Sequence, residues 1–145
     1  MKCVIQRVLE AELKVDGVSI SSIGKGYVIF FGVAKGDTTE QADYFIKKIP
    51  TLRIFEDENG KINKSILDVK GEILFVSQFT LMANASHGNR PDFLMAESPD
   101  IANEVYLYTA EGLKKAGISV KLGVFGADMK IMQVNDGPFT VILEK

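Results

Sequence analysis

Apolar and polar positions along the chain change period several times, and each change marks an element. Residues 3–8 (CVIQRV) alternate as a half-buried strand does. AELKVDGVSI reads as a hairpin in which Asp16-Gly17 supplies the positive φ angles of a two-residue turn, and GYVIFFGV at 26–33 is another strand. From Thr38 the period lengthens. Ala42, Phe45, Ile46 and Ile49 fall on one helical stripe, Thr38 and Gln41 have capping-box spacing, and Pro50 ends the helix. A short strand at Leu52–Phe55 leads into the turn EDENG, a loop follows, and Glu72–Phe79 is apolar enough for a central strand.

The polar loop NASHGNRP precedes Ser98-Pro99-Asp100, which combine an N-cap, a first-turn proline and an acidic residue. Ile101, Val105 and Tyr108 then share a face of a second helix that stops at Gly117. Ile118, Val120, Leu122 and Val124 alternate as a strand, and IMQV and FTVILE follow as two more. No linker, internal repeat or low-complexity segment interrupts this order. Most connections are short enough for antiparallel pairing, so the expected fold is α+β. It has curled, largely antiparallel β-sheets forming a partial barrel, with two main helices, in a single domain over residues 1–145.

Composition narrows the setting. At 145 residues and 46% apolar, the chain is long enough to bury its own core. Cys3 is the sole cysteine and His87 the sole histidine, so neither an intramolecular disulfide nor a cysteine/histidine zinc cage is available. Charges at Lys2, Arg7, Glu10, Glu12 and Lys14 interrupt any signal-peptide core, and no run approaches the ~20 apolar residues of a membrane span. A soluble cytoplasmic protein without a membrane partner is expected. The formal charge of −2 argues against a wholesale electrostatic grip on nucleic acid. RNA contact would be local, at Lys47, Lys48 and Arg53 or at Lys114, Lys115 and Lys121, which also read as ordinary solvated faces.

Several kinds of chemistry lack their residues. A Ser77–His87 or Thr80–His87 couple with a carboxylate is conceivable, since triads are set by geometry and not by order, but His87 sits in a polar loop and reads as a surface histidine. Cys3, at the start of an apolar strand, reads as a small buried hydrophobe. Asp68, Glu72, Asp92, Glu97 and Asp128 are scattered carboxylates, so no metal site or two-carboxylate catalysis is indicated and no cofactor is expected. GKG at 24–26 lacks the rest of a phosphate loop. Two segments remain. Ser77-Gln78-Phe79-Thr80-Leu81 turns polar where a buried strand leaves the core, the usual place for a site, although Ser77 and Thr80 also fit as groups satisfying local backbone. Asn135-Asp136-Gly137-Pro138-Phe139-Thr140 is by composition a turn, most simply a hairpin with a trans Gly-Pro bond.

Together ‘SQFTL’ and the N-x-G-P-x-T segment resemble the paired motifs of the D-aminoacyl-tRNA deacylase family. The opening MKCVIQRV, GNRPDF at 88–93 and FGADM at 125–129 extend the resemblance along nearly the whole chain. The resemblance implies a hydrolase that cleaves the ester of D-aminoacyl-tRNA to free amino acid and tRNA, a form of translational proofreading. It also implies a homodimer in which a cis Gly137-Pro138 projects into the partner's pocket. It places the aminoacyl-adenosine beside Ser77, Gln78, Phe79 and Thr80, with Phe79 on the adenine and N–H groups around Gln78 to Thr80 facing the oxyanion. Met129, Arg90 and Phe93 join Gly137 and Pro138 as implied substrate-binding residues. A wall that rejects L side chains leaves glycine acceptable, so glycyl-tRNA mischarged on tRNA(Ala) is an expected substrate.

Asp136, Phe139 and Asp92 depart from the family's commoner residues and leave the pocket rim open to variation. Two other readings fit much of the same sequence. One is a non-catalytic RNA- or nucleotide-binding module with Phe79 stacked on a base, and the other a small-molecule hydrolase or deaminase with sites between subunits.

Overall fold

In the computed structural model, which describes residues 1–145, the chain begins with one long strand, β1 (Lys2–Val15). The separate strand at 3–8 and the first arm of the hairpin are therefore continuous. Leu9 and Glu10 are both exposed where a bulge against the last strand shifts the register, and this broke the alternation in sequence. The bulge also changes which face is buried. Cys3 and Ile5 enter one core, whereas Val8, Ala11 and Leu13 enter the other. Asp16 (φ 50°) and Gly17 (φ 80°) make the expected turn into β2 (Val18–Ile23), and β3 (Gly26–Gly32) follows.

α1 (Thr39–Lys48) starts on a formed capping box, with Thr38 Oγ1 accepting from Glu40 N and Gln41 Oε1 accepting from Thr38 N. Pro50 then sits in a 3-10 turn at Ile49–Thr51. β4 (Arg53–Glu56) pairs antiparallel with β5 (Ile62–Ser65) in a small separate sheet. β5 lies where a loop is expected, because INKS carries no apolar alternation and its pairing depends on β4. β6 (Glu72–Ser77) is buried as expected but ends two residues early, and Phe79–Met82 winds into a 3-10 turn.

α2 (Pro99–Lys115) is followed by β7 (Ser119–Leu122) and β8 (Met129–Glu144). On α2 the buried stripe is Ala102, Val105, Tyr106, Thr109, Ala110 and Leu113, whereas Ile101 and Tyr108 of the expected face are exposed. The stripe mixes small residues with the apolar ones, which hides it from a search for large side chains. Val124 falls outside β7.

The main sheet runs β2-β1-β3-β6-β7, with β8 on the other edge of β1. Pairings of β1 with β2, β3 and β8 are antiparallel, and those of β3 with β6 and β6 with β7 are parallel. The parallel pairs follow from the two helical connections, which carry the chain back before the next strand. The sheet curls until β2 and β7 meet. There Ser21 Oγ donates to Leu122 O at 2.7 Å, and Glu72 accepts from Gly24 N (2.9 Å) and Ser119 Oγ (3.1 Å). Val28, Leu74 and Val76 help to fill the inside of this nearly closed barrel.

The larger core lies between the sheet and the helices, around Phe31, Phe45, Phe75 and Tyr106. Tyr106 stacks on Phe75 at 5.0 Å and donates its hydroxyl to Phe75 O. α1 and α2 run side by side in the same direction, with Tyr108 donating to Asp43 at 2.8 Å and Gly112 against Ile46.

Candidate active site

β6 ends beside β3, and the polar run begins there. Gln78 N donates to Phe31 O at 2.8 Å, which completes the sheet pairing, and the 3-10 ladder starts with Leu81 N donating to Gln78 O. The N–H groups of Phe79 and Thr80 lie between these two systems and belong to neither, as the first donors of a helical turn do. Of the N–H groups expected to face an oxyanion, that of Gln78 is thus already committed. The turn rests on Gly32 of β3, where a Cβ would come within 2.9 Å of both Gln78 O and Met82 Cε. The Gln78 amide donates to Thr80 Oγ1. An amide N–H cannot take a proton from that hydroxyl, so Thr80 has no base in this arrangement.

Ser77, Gln78 and Phe79 line a cavity of about 450 Å³, whose other walls are Met129 with the 125–128 segment, the start of α2 at Pro99 and Ala102, and Val33. Phe93 stands edge-on to Phe79 at 5.1 Å, and both rings are partly open to solvent. Arg90 is exposed in the loop beyond, as is His87, whose Nδ1 meets Ser86 Oγ at 2.8 Å. Thr80 is exposed on the same turn and does not line the cavity. Burial pushes the Cys3 thiol well up, away from the reactive thiolate. No group of three or more His, Cys, Asp or Glu side chains is placed to hold a metal ion.

Gly137 and Pro138 are not among the residues around this cavity. They ride on β8, where the turn read from Asn-Asp-Gly-Pro reverses nothing. Gln6 pairs with Thr140 and Val8 with Asn135, so Asp136–Phe139 bulge out opposite the single residue Arg7. The Gly137–Pro138 peptide is cis, not the trans bond of an ordinary hairpin, and both residues are exposed. Arg7 shapes this bulge. Its buried guanidinium donates to Ile54 O (2.7 Å) and Asp136 O (3.1 Å), pairs with the Asp136 carboxylate (3.1 Å) and lies 5.0 Å from the centre of the Phe139 ring. Two of the sequence's departures, Asp136 and Phe139, therefore serve one arginine.

The family model described as D-Tyr-tRNA(Tyr) deacylase matches residues 4–144. The chain belongs to that family. It is 52% identical over 144 residues to a D-aminoacyl-tRNA deacylase of Geotalea daltonii, covering 99% of this chain and 96% of that protein. Identity to a D-aminoacyl-tRNA deacylase of Limosilactobacillus reuteri is 49%, with both chains covered completely. A solved structure described as c-Myc DNA Unwinding Element Binding Protein aligns at TM-score 0.94 and 42% identity, over 100% of this chain and 99% of that one. Another, described as a probable eukaryotic D-amino acid tRNA deacylase, shares the fold at TM-score 0.83 and 17% identity, over 98% and 97% of the two chains.

Sequence reasoning missed two side chains of this deacylase-family fold. Arg7 lies within MKCVIQRV, and a charge at a strand position where Cys3 and Ile5 point inward was its signal. Glu97 lines the cavity from the loop before α2. Its oxygens accept from Ser98 N (2.7 Å) and Gly36 N (3.0 Å), chiefly the first, which holds the carboxyl below the usual glutamate range.

Proposed function

We propose that the chain hydrolyses the ester of D-aminoacyl-tRNA, releasing free amino acid and tRNA. The observation that carries this reading is the SQFT turn at the mouth of the 450 Å³ cavity, in a chain about half identical over its length to curated deacylases. The aminoacyl group enters the cavity and the terminal adenosine lies against Phe79 and Phe93, with Arg90 in reach of the nucleotide backbone. Water adds to the ester carbonyl, and the N–H groups of Phe79 and Thr80 receive the developing oxyanion. When the bond to the ribose 3′ oxygen breaks, the neighbouring 2′-OH relays the proton to it. Thr80, hydrogen-bonded to the Gln78 amide, orients the turn and forms no acyl-enzyme.

The active form is a homodimer in the cytoplasm. Gly137-Pro138 does not reach the cavity of its own chain, and the bulge that carries it is exposed, as a segment that completes a partner's pocket must be. In the assembled pocket the Gly137-Pro138 backbone lies against the substrate α-carbon, so an L side chain clashes and a D side chain points away. Chirality is enforced by rejection, since one methylene of attraction discriminates by only ~1–3 kcal/mol. Glycine has nothing to clash, and glycyl-tRNA mischarged on tRNA(Ala) is cleaved as well.

Purified protein is therefore expected to deacylate D-tyrosyl-tRNA and glycyl-tRNA while sparing L-tyrosyl-tRNA. Glycyl-tRNA left intact at about tenfold more enzyme would overturn rejection as the basis of chirality. Thr80→Ala is expected to keep substantial turnover, and complete loss with folding and tRNA binding intact would assign Thr80 as nucleophile.

A further inference from the structure

The two ends of the subunit differ in charge. The cavity lies at the Gly32 end of β3, where Val33 lines it together with Glu97 and Asp128 but no lysine or arginine. The Gly137-Pro138 bulge lies at the other end. Lys2 pairs with Gly32 and Val8 with Gly26, about 20 Å further along β3, and the bulge stands opposite Arg7. Four cations border the segment Thr51–Phe55 at that end. Arg53 precedes Ile54, whose carbonyl accepts from Arg7, and Lys25 Nζ lies 5.4 Å from the centre of the Phe55 ring. Thr51 Oγ1 donates to the carbonyls of Lys47 and Lys48. All four residues are exposed and none forms an ion pair, unlike Lys64 and Lys114. In the same hairpin Glu58 is paired with Lys64 and Asp57 accepts from Asn59 and Lys61 N, which leaves Glu56 as the carboxylate without a partner. The C-terminal dipole of α1 accounts for Lys47 and Lys48 but not for Lys25 or Arg53.

We infer that these cations grip the phosphates of the tRNA acceptor stem in trans: the tRNA whose aminoacyl end enters one subunit's cavity is held by Lys25, Lys47, Lys48 and Arg53 of the subunit that supplies Gly137-Pro138. The inference rests on the proposed deacylase dimer. Arg7 fastens β4 to the bulge by donating to both Ile54 O and Asp136 O, so the cations arrive at a pocket with the bulge that completes it. Those of the pocket's own subunit stay at its far end. An RNA backbone is the partner that fits exposed, unpaired cations, because phosphates bound there release their condensed counterions. A grip confined to one end also suits a chain whose formal charge is −2.

The test compares D-tyrosyl-tRNA with D-tyrosyl-adenosine, which keeps the reacting ester but carries no phosphate. In the combined variant Lys25→Gln, Lys47→Gln, Lys48→Gln, Arg53→Gln, the ratio of kcat/KM, tRNA over adenosine, is expected to fall about tenfold or more. The slope of log kcat/KM on tRNA against log salt should become shallower by about 2–3. A ratio and slope equal to those of the unmodified protein would overturn the grip. Mixed dimers of differently tagged subunits then locate it. Gly32→Ala, which crowds the SQFT turn, silences one cavity, and Met129→Trp, which fills the cavity, replaces it if that subunit does not assemble. With the silenced cavity in one subunit and the four substitutions in the other, the working cavity faces intact cations across the dimer, and the unmodified ratio is expected. With both sets of changes in one subunit opposite an unmodified partner, the lowered ratio is expected. The reverse pattern would place the grip in the cavity's own subunit and overturn the trans arrangement. Unmodified tagged copies that never co-purify would remove the dimer it requires. If the unmodified protein hydrolyses neither substrate, the deacylase reading itself fails, and this one with it.

Discussion

Gly32 and Arg7 each hold one half of the proposed site through a contact that a substitution can change. At Gly32 the SQFT turn sits so close to β3 that a methyl group would press on Gln78 O and Met82 Cε, both 2.9 Å away. The Met82 side chain can move, but the Gln78 carbonyl belongs to the turn that aims the Phe79 and Thr80 N–H groups. Gly32→Ala is therefore expected to cost about 1–3 kcal/mol of stability and to lower kcat/KM on D-tyrosyl-tRNA by about 100-fold, because displaced donors no longer meet the oxyanion. Denaturant melts and single-turnover deacylation separate the two effects, and full activity would show that the turn tolerates the shift. Arg7 holds the other half. Its charge sits inside the protein because Ile54 O, the Asp136 carboxylate and the Phe139 ring all converge on it, and that convergence gives the four-residue bulge one shape.

The elements with local signals were the ones legible from sequence. The capping box at Thr38 and the Asp16-Gly17 turn depend on residues within a few positions of each other, and both formed as expected. Thr38→Ala should accordingly cost about 1 kcal/mol in a chemical denaturation midpoint without touching the cavity, which lies off this helix. Elements defined by distant partners were less legible. Asn-Asp-Gly-Pro has turn composition whether it reverses a chain or bulges from a strand, and only the pairing of Gln6 with Thr140 and Val8 with Asn135 tells the two apart. β6 was expected to reach Phe79, but Phe31 O captures Gln78 N and the chain then turns. Of the site, Ser77, Gln78, Phe79 and Met129 come together around the cavity, whereas Glu97 entered through a loop no motif marked. The parallel pairings of β3, β6 and β7 depend on where two helices return the chain, which no strand segment encodes.

For the molecule as a whole, several carboxylates are fastened to backbone. Asp57 accepts from Asn59 and Lys61 N, Asp68 from Ser65 N and Glu97 from Ser98 N, and each is held below its ordinary value of 3.8 or 4.5. A lowered folded-state pKa adds stability that is complete above the unfolded value and disappears as pH falls through the folded one. Thermal melts should thus be flat from pH 7 to about 5 and shift steadily downward below about 4.5. A melting temperature unchanged at pH 3 would mean that these bonds contribute nothing. The pairing of β1 with β8 acts at the same scale but on another clock. One edge of β1 is matched by its sequence neighbours β2 and β3, but the other, from Lys2 opposite Glu144 to Val15 opposite Met129, is matched only by the distant β8. Until β8 docks, that edge of β1 stays open to any other unpaired strand, and both cores lack the side chains β8 lays on them, Val141 and Leu143 on one, Met129 and Ile131 on the other.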